Sequence, residues 1–486
     1  MGLKSRIARA GWIGAPSTEG GPRWAVLKLA APLVLSFWMR SLFSLVDTVY
    51  AAMLGDAAVA AVGLAIPLEF LMIAFWVGLS TGLTSTLSRA IGAGEDRKVE
   101  QCLRAGRRIV GSLIPLFLIL GIGVFFGAQS LGLDERVARQ FAIYGGVLVA
   151  GSAISSFWSV IPDSVVKAHH DTRSTMWAGI WSNVINLVLN TVFLFVFHWG
   201  VFGIALSTVL GRFGGLAYAM KRAGALEAER KATKSAFRPE REARPLKAIL
   251  SLAVPSAMTY VLMAMESSLV NGLLATLDHA TEAIAAYSIY FRVVLFCLMP
   301  IIATSVAMLP YVARRFGRND PTGIRHGLNE AMLASAGYCV FLVAPTMGFA
   351  APFVARALAE SAVTAQFTMQ ALWAVPVACL AGMPFFLVRP TFEGMQRGRP
   401  GLAMALLRYV LLTVPLAYGG ARAAVVWGLS SFMGLLAGLI AAAAVTSGIA
   451  LVWARVVLRG LGPAAAGSTA EVVSRASEVE EPMRAP

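Results

Sequence analysis

The sequence predicts an all-α polytopic membrane protein of twelve transmembrane helices in two pseudo-symmetric six-helix bundles. Of its 486 residues, 57% are hydrophobic and only 14% are charged, whereas a soluble protein carries roughly 25% charge. The apolar residues form blocks of about 20 residues or more, which is the length that crosses a bilayer as a helix. The shorter alternating segments of a transmembrane barrel are not seen.

Twelve spans can be placed from these apolar blocks, and several are longer than the hydrocarbon core requires. Their predicted bounds are 24–54, 58–89, 108–129, 138–161, 175–197, 200–220, 248–277, 280–315, 327–350, 365–388, 403–418 and 424–457.

Polar segments flank and divide the spans. Residues 1–23 are basic but have no apolar core, so we expect a cytoplasmic segment and no cleavable signal peptide. Residues 221–247 are predicted to be a cytoplasmic linker between an N-lobe, 24–220, and a C-lobe, 248–457. Residues 458–486 are rich in Ala, Gly, Ser, Pro and Glu and are predicted to be a disordered cytoplasmic tail.

Basic residues are concentrated in alternate connections, which predicts that both termini are cytoplasmic. The connections on the opposite side carry few Lys or Arg. The basic segments are the N-terminus, 97–108, 167–173, 221–247, 314–325, 389–399 and the tail after Arg455.

The composition argues against several other classes. The net charge of +15 is explained by this loop asymmetry, so no nucleic-acid partner is expected. The four cysteines are scattered without metal-ligand spacing, which predicts neither a metal nor a disulfide framework. No phosphate-binding GxxxxGK[ST] motif is present, so no cofactor is expected, and uphill transport would depend on an ion gradient or on another chain.

The two halves resemble each other with an offset of 225 residues, which superposes Arg89 on Arg314 and Gly92 on Gly317. Because each half has six spans, the repeats have parallel topology, as in many secondary transporters whose substrate sites lie between the repeats.

Ionisable residues inside the spans are candidates for function, because a charge at the bilayer centre costs at least roughly 2.5–3.5 kcal/mol. They are Arg40, Asp47 and Glu69 in the first half and Glu266 and Arg292 in the second. We expect Arg40 to pair with Glu69, and Glu266 with Arg292. Asp47 would then be the unpaired acid and could bind a proton. The alternative is that Asp47 pairs with Arg40 and only fixes a kink.

An amide stripe in the fifth span is a candidate partner for Asp47. Asn183, Asn186 and Asn190 share one helix face, and Thr208 in the sixth span could add a hydroxyl. Lipid would leave these amides unsatisfied, so they either join helices or hold Asp47 with a water or ion. Among the many aromatic and Met residues, most of which would be packing, the predicted cavity-lining set is Phe37, Trp38, Tyr260, Met263 and Tyr290.

These residues and their surroundings resemble the multidrug and toxic compound extrusion (MATE) transporters over nearly all of 24–457. No single match is specific, but the set is. It comprises Ala31-Pro32, Val46-Asp47-Thr48, Gly55 to Gly63, Ser88 to Gly94, Lys167 to Arg173, Asn186 to Asn190, and Gly200 to Thr208.

The resemblance implies an inner-membrane antiporter that exports cationic or amphipathic organic compounds, expected to act as a monomer, against inward H⁺ or Na⁺. It implies that Asp47 is the coupling residue, that Asn186, Asn190 and Thr208 surround it, and that the first helix bends at Pro32. The chain departs from sodium-coupled members in the second half. Glu266 lies about one turn from the expected acid, and the tenth span has none.

Two alternatives follow from the same residues. A flippase for a lipid-linked oligosaccharide would need basic residues in the central cavity, and Arg40, Arg292 and Arg389 are candidates. A non-transporting receptor or assembly factor would leave the duplicated halves unexplained. No nucleophile elbow or metal cluster suggests an enzyme.

Overall fold

The computed structural model describes residues 24–131, 134–232, 244–358 and 361–461, and for residues 40–49, 52, 56 and 131 it describes only the backbone. Within these ranges, eleven helices are long and apolar enough to cross a membrane. The 30-residue first helix completes the predicted set of twelve. The helices are α1 (Ala25–Leu54), α2 (Asp56–Ala93), α3 (Asp96–Gly127), α4 (Glu135–Ala168), α5 (Thr172–Val196), α6 (Gly200–Ala232), α7 (Pro245–Leu274), α8 (Ala280–Gly317), α9 (Pro321–Leu358), α10 (Ala362–Gly394), α11 (Gly398–Val426) and α12 (Ser431–Gly460).

Several predicted boundaries are wrong because hydropathy marks only the part of a helix that lies in hydrocarbon. The basic segment 97–108, which was predicted to be a connection, is helical and belongs to α3. Helix α6 continues to Ala232, inside the predicted linker. Arg422, predicted in a connection, lies in α11, and α12 begins at Ser431 rather than at 424. Helices of this length reach about 45 Å or more, so their charged ends extend beyond a hydrocarbon core of roughly 30 Å.

Side-chain caps explain where many of the helices begin. Asp171 accepts a hydrogen bond from the Ser174 N–H at the start of α5. Asp320 accepts one from the Gly323 N–H at the start of α9, where Pro321 follows it. These caps satisfy amides that have no partner within the helix.

Helix α1 connects the two bundles. Its first half packs into the C-lobe core through Val26, Leu29 and Leu33. Its second half lies along α5, where the Tyr50 hydroxyl is 2.8 Å from the Thr191 hydroxyl. The helix is continuous through Pro32, which has no N–H to donate to the preceding turn.

The two bundles meet through reciprocal contacts at equivalent glycines of α2 and α8. A Cβ added to Gly92 would overlap the carbonyl oxygen of Arg314, and a Cβ added to Gly317 would overlap that of Arg89. Gly317 follows Gly92 by 225 residues, and Arg314 follows Arg89 by the same number. The two contacts therefore agree with the repeat predicted from the sequence.

Candidate functional site

Hydrogen bonds between the bundles lie at one end of the described structure. Ser256 donates to Thr81 at 3.2 Å, and Ser85 donates to the carbonyl of Glu393 at 2.7 Å. The backbone N–H of Trp24 donates to Glu330 at 3.0 Å. These residues belong to the first parts of α1, α7 and α9 and to the last parts of α2 and α10. In an alternating helical bundle all of these parts lie on the same side of the membrane. We call this the closed end.

Two further residues at the closed end are related by the repeat. His170 follows α4 and Gln396 follows α10, 226 positions later, and both have positive φ angles, 62° and 63°. The Gln396 amide donates to Ser85 of α2 at 2.7 Å. The His170 Nε2 lies 3.2 Å from the carbonyl oxygen of Pro310 of α8, the residue 225 positions after Ser85. Each lobe therefore contacts the equivalent position of the other lobe. The N-lobe residue that makes this contact is a histidine, which can titrate, whereas the C-lobe residue is a glutamine.

The surroundings of His170 favour a neutral imidazole when this end is closed. Burial and the charge of Arg314 lower its pKa from 6.5 to about 3, and Arg318 and Arg315 act in the same direction. With the lobes apart, the ring would regain an ordinary pKa near 6.5. The contribution of a neutral His170 to closure is therefore complete above that pH and is lost as the pH falls toward 3.

We expect acidification to open the closed end by about tenfold per pH unit below 6.5, and His170→Gln to remove most of this dependence. Cys102, which is 3% exposed and lines a small crevice at this end, can report opening through maleimide labelling. His169→Gln is the matched control, because His169 contacts Glu227 within its own lobe at 3.1 Å. An unchanged pH profile in His170→Gln would contradict the prediction.

The predicted amide stripe faces the interior of the N-lobe. Asn186 is 7% exposed and Asn190 is fully buried, whereas Asn183 is half-buried. The Asn186 amide donates to the Thr208 hydroxyl at 3.0 Å, and that hydroxyl donates to the carbonyl of Ile204 at 3.0 Å. The predicted proximity of Asn186 and Thr208 is therefore observed.

The side chains of Asp47 and Arg40 lie outside the described residues, but the α1 backbone at position 47 can be placed. A Cβ added to Gly179 of α5 would lie 2.9 Å from the Ser36 hydroxyl, and Tyr50 contacts Thr191. The two helices therefore run side by side in the same direction. Position 47, one turn before Tyr50, lies at about the level of the amides at 186 and 190.

The predicted Glu266–Arg292 ion pair is not observed, whereas the predicted Arg40–Glu69 pair stays a prediction because the Arg40 side chain lies outside the described residues. Glu69 contacts Arg212 of α6, with 3.2 Å between the Glu69 carboxylate and the guanidinium. The Glu266 carboxyl lies 2.8 Å from the Thr413 hydroxyl of α11, whereas Arg292 on α8 is exposed. Arg212 was not among the predicted intramembrane charges, although it lies inside the predicted span 200–220.

Glu266 belongs to a polar cluster in the C-lobe. The Thr413 hydroxyl lies 2.8 Å from the Glu266 carboxyl and 2.8 Å from the carbonyl oxygen of Arg408. A hydroxyl has one proton, so it cannot donate to both oxygens. Both contacts are satisfied together when Glu266 is protonated and donates to Thr413, which donates to Arg408. Arg408 was also missing from the predicted intramembrane charges. Its position inside the apolar span 403–418 could have identified it as a candidate functional residue.

The predicted cavity-lining residues all contact the C-lobe. Trp38 stacks on Phe296 of α8 with ring centroids 6.0 Å apart. Tyr290 is 6% exposed and lies beside Tyr287 in the C-lobe. Tyr260 lies under the guanidinium of Arg389 at 5.3 Å. The remaining two, Phe37 and Met263, pack against the C-lobe core.

Buried ion pairs occupy equivalent positions in α4 and α10, but the order of the acid and the base along the helix is reversed. Lys167 contacts Asp163 at 2.6 Å, and Arg389 contacts Glu393 at 3.6 Å, each pair 226 positions from its counterpart. Because Arg389 is engaged by Glu393 and Tyr260, it is a poor candidate for a free phosphate-binding residue in a flippase.

Comparisons with known proteins agree with this architecture. The family model described as MatE matches the chain twice, over residues 32–192 and 255–419. The FAD transporter of Shewanella oneidensis is 22% identical over 410 residues, covering 81% of this chain and 86% of that protein. The probable multidrug resistance protein NorM of Bradyrhizobium diazoefficiens is 26% identical over 421 residues, covering 81% and 85%.

Solved structures share the fold. A MOP superfamily transporter of Pyrococcus furiosus, described as having a binding pocket of reverse polarity, superposes with a TM-score of 0.79 at 22% identity, covering 91% of this chain and 97% of that one. A MATE transporter of Vibrio cholerae superposes with a TM-score of 0.79 at 22% identity, covering 90% and 97%. Because the family model matches both six-helix halves separately, the chain is a multi-pass membrane protein that belongs to the MATE family of transporters.

Proposed function

We propose that this chain exports amphipathic organic compounds, chiefly cations, in exchange for H⁺ or Na⁺. The observation that carries the proposal is that the hydrogen bonds between the bundles, among the residues that the structure describes, lie at the closed end. Two bodies joined at one end can separate there and meet at the other end, which is what alternating access requires. The names of the multidrug resistance relatives support export of drug-like compounds.

We infer that the closed end is cytoplasmic, since it carries the basic segments, and that the membrane is the cell inner membrane. Both termini would then be cytoplasmic, and the described form would be open to the outside. Arg89, Arg314 and Arg389 lie at or near this end.

The coupling group in this proposal is Asp47, with Asn186, Asn190 and Thr208 near it. Binding a proton removes a charge from a site of low dielectric, so the hydrogen bonds around residue 47 can rearrange. Helix α1 would carry that change to the C-lobe, because it contacts α5 at one end and the C-lobe core at the other. Pro32, where a backbone hydrogen bond is missing, is the expected bending point.

Dye efflux from everted membrane vesicles tests the proposal. An imposed pH gradient, acid inside, should drive ethidium uptake into vesicles that contain the transporter if H⁺ is the coupling ion. An imposed Na⁺ gradient, with the higher concentration inside, should do so if Na⁺ is the coupling ion. Vesicles without the transporter are the control. A rate of ethidium uptake that does not change with either gradient would contradict ion-coupled export.

A further inference from the structure

A cationic side chain in the C-lobe lies among aromatic rings and has an unused donor. The π-helical turn Leu407–Leu412 interrupts α11, and such turns are frequent at functional sites. It presents the guanidinium carbon of Arg408 5.2 Å, 5.9 Å and 5.1 Å from the ring centroids of Phe385, Phe386 and Tyr409.

The nearest acid does not neutralise Arg408 by direct contact. The Nη1 of Arg408 is buried and has no hydrogen-bond partner. No N–O contact of 4.0 Å or less joins Arg408 to Glu266 in the described part of the chain. Glu266 instead bonds to Thr413, in the arrangement that fits a protonated carboxyl.

Helix α10 presents a glycine, and not an acidic side chain, beside the free nitrogen. The residue opposite is Gly382, where an added Cβ would lie 3.9 Å from Nη1 and 3.8 Å from Phe386. Tyr287 and Tyr290 of α8 belong to the same buried core as Phe385 and Tyr409. Three neighbouring helices therefore surround the guanidinium without supplying an acceptor to Nη1.

A guanidinium in a poorly solvated site is stabilised best by a carboxylate or phosphate, which it binds through two parallel hydrogen bonds. Aromatic rings beside it would stack on a planar cargo. We propose that Arg408 is a recognition residue for the oxyanion, carboxylate or phosphate, of a planar aromatic compound carried by this transporter. This inference rests on the proposed function and extends its substrates from cations to zwitterions and anions.

The test is ligand binding by the purified full-length protein, using two pairs of fluorescent probes. Rhodamine B and its ethyl ester differ by one carboxylate, and FMN and riboflavin differ by one phosphate. Arg408→Gln should weaken binding of the acid member of one or both pairs by about tenfold or more, with the neutral or esterified member changed by less than about twofold. The pair that responds identifies the oxyanion.

Arg408→Lys and Arg422→Gln are the companion variants. Lysine keeps the charge but loses the planar fork, so an intermediate loss is expected. Arg422 lies on the same helix, 5.3 Å from the ring of Tyr418, and its replacement should leave all four affinities unchanged. If Arg408→Gln fails to fold, the proposal is tested by whether Arg408→Lys weakens binding of the acid member of a pair more than binding of its partner.

Equal losses within each pair, no loss in either pair, or wild-type protein that does not prefer an acid member would overturn the proposal. Because binding is measured without a gradient, these outcomes are separate from a failure of ion-coupled export in vesicles.

Discussion

Leucine in place of Gly92 or Gly317 is expected to reduce transport to background. At both positions an added Cβ would overlap a carbonyl oxygen of the opposite lobe, which is backbone and cannot turn aside like a flexible side chain. The closed end would then be unable to form, so the transporter would lose one of the two states it must alternate between. Ethidium efflux and maleimide labelling of Cys102, with the other three cysteines replaced, measure the two consequences.

The matched control is Gly63→Leu. Gly63 lies on the same helix as Gly92, but an added Cβ there would meet nothing within 4 Å. Its efflux and Cys102 labelling should match those of the wild type, while Gly92→Leu should show increased labelling together with lost efflux. Retained efflux in Gly92→Leu, with an unchanged melting temperature, would show that the contact is not needed during transport.

The fold was predictable because a bilayer imposes strong rules on sequence. Long apolar blocks, alternating loop charge and the offset between Gly92 and Gly317 are all visible without coordinates. Helix ends were not predictable in this way, because the extended ends of α3 and α6 are rich in charged residues and resemble polar connections in sequence. The π-helical turn around Arg408 leaves no pattern in hydropathy at all.

The candidate site was predictable only in part. The Asn186 and Thr208 contact follows from a face of amides that has to avoid lipid. The contact between Glu69 and Arg212 depends on which helices are neighbours, and the periodicity of the sequence carries no information on helix neighbours. The equivalence of His170 and Gln396 could have been found by extending the repeat into the loops, where the chemistry differs but the position is the same.

Asp47→Asn is expected to abolish ion-coupled efflux while leaving the protein folded and in the membrane. Asparagine is close to aspartate in size and can still hydrogen-bond, but it cannot gain or lose a proton and offers no charge to a cation. The backbone at position 47 lies at the level of the buried amides of α5, where a charge has little water to stabilise it. Efflux driven by an imposed gradient and substrate binding to the purified variant are the two measurements.

Glu69→Gln is the matched control, since Glu69 is a second intramembrane acid of the N-lobe but already contacts Arg212. If Asp47 alone exchanges the coupling ion, Glu69→Gln retains gradient-driven efflux and Asp47→Asn loses it, although both bind substrate. Full efflux in Asp47→Asn would contradict this assignment. Glu266, with its hydrogen bonds arranged for a protonated carboxyl, would then be the acid to examine, and the coupling site would lie in the C-lobe.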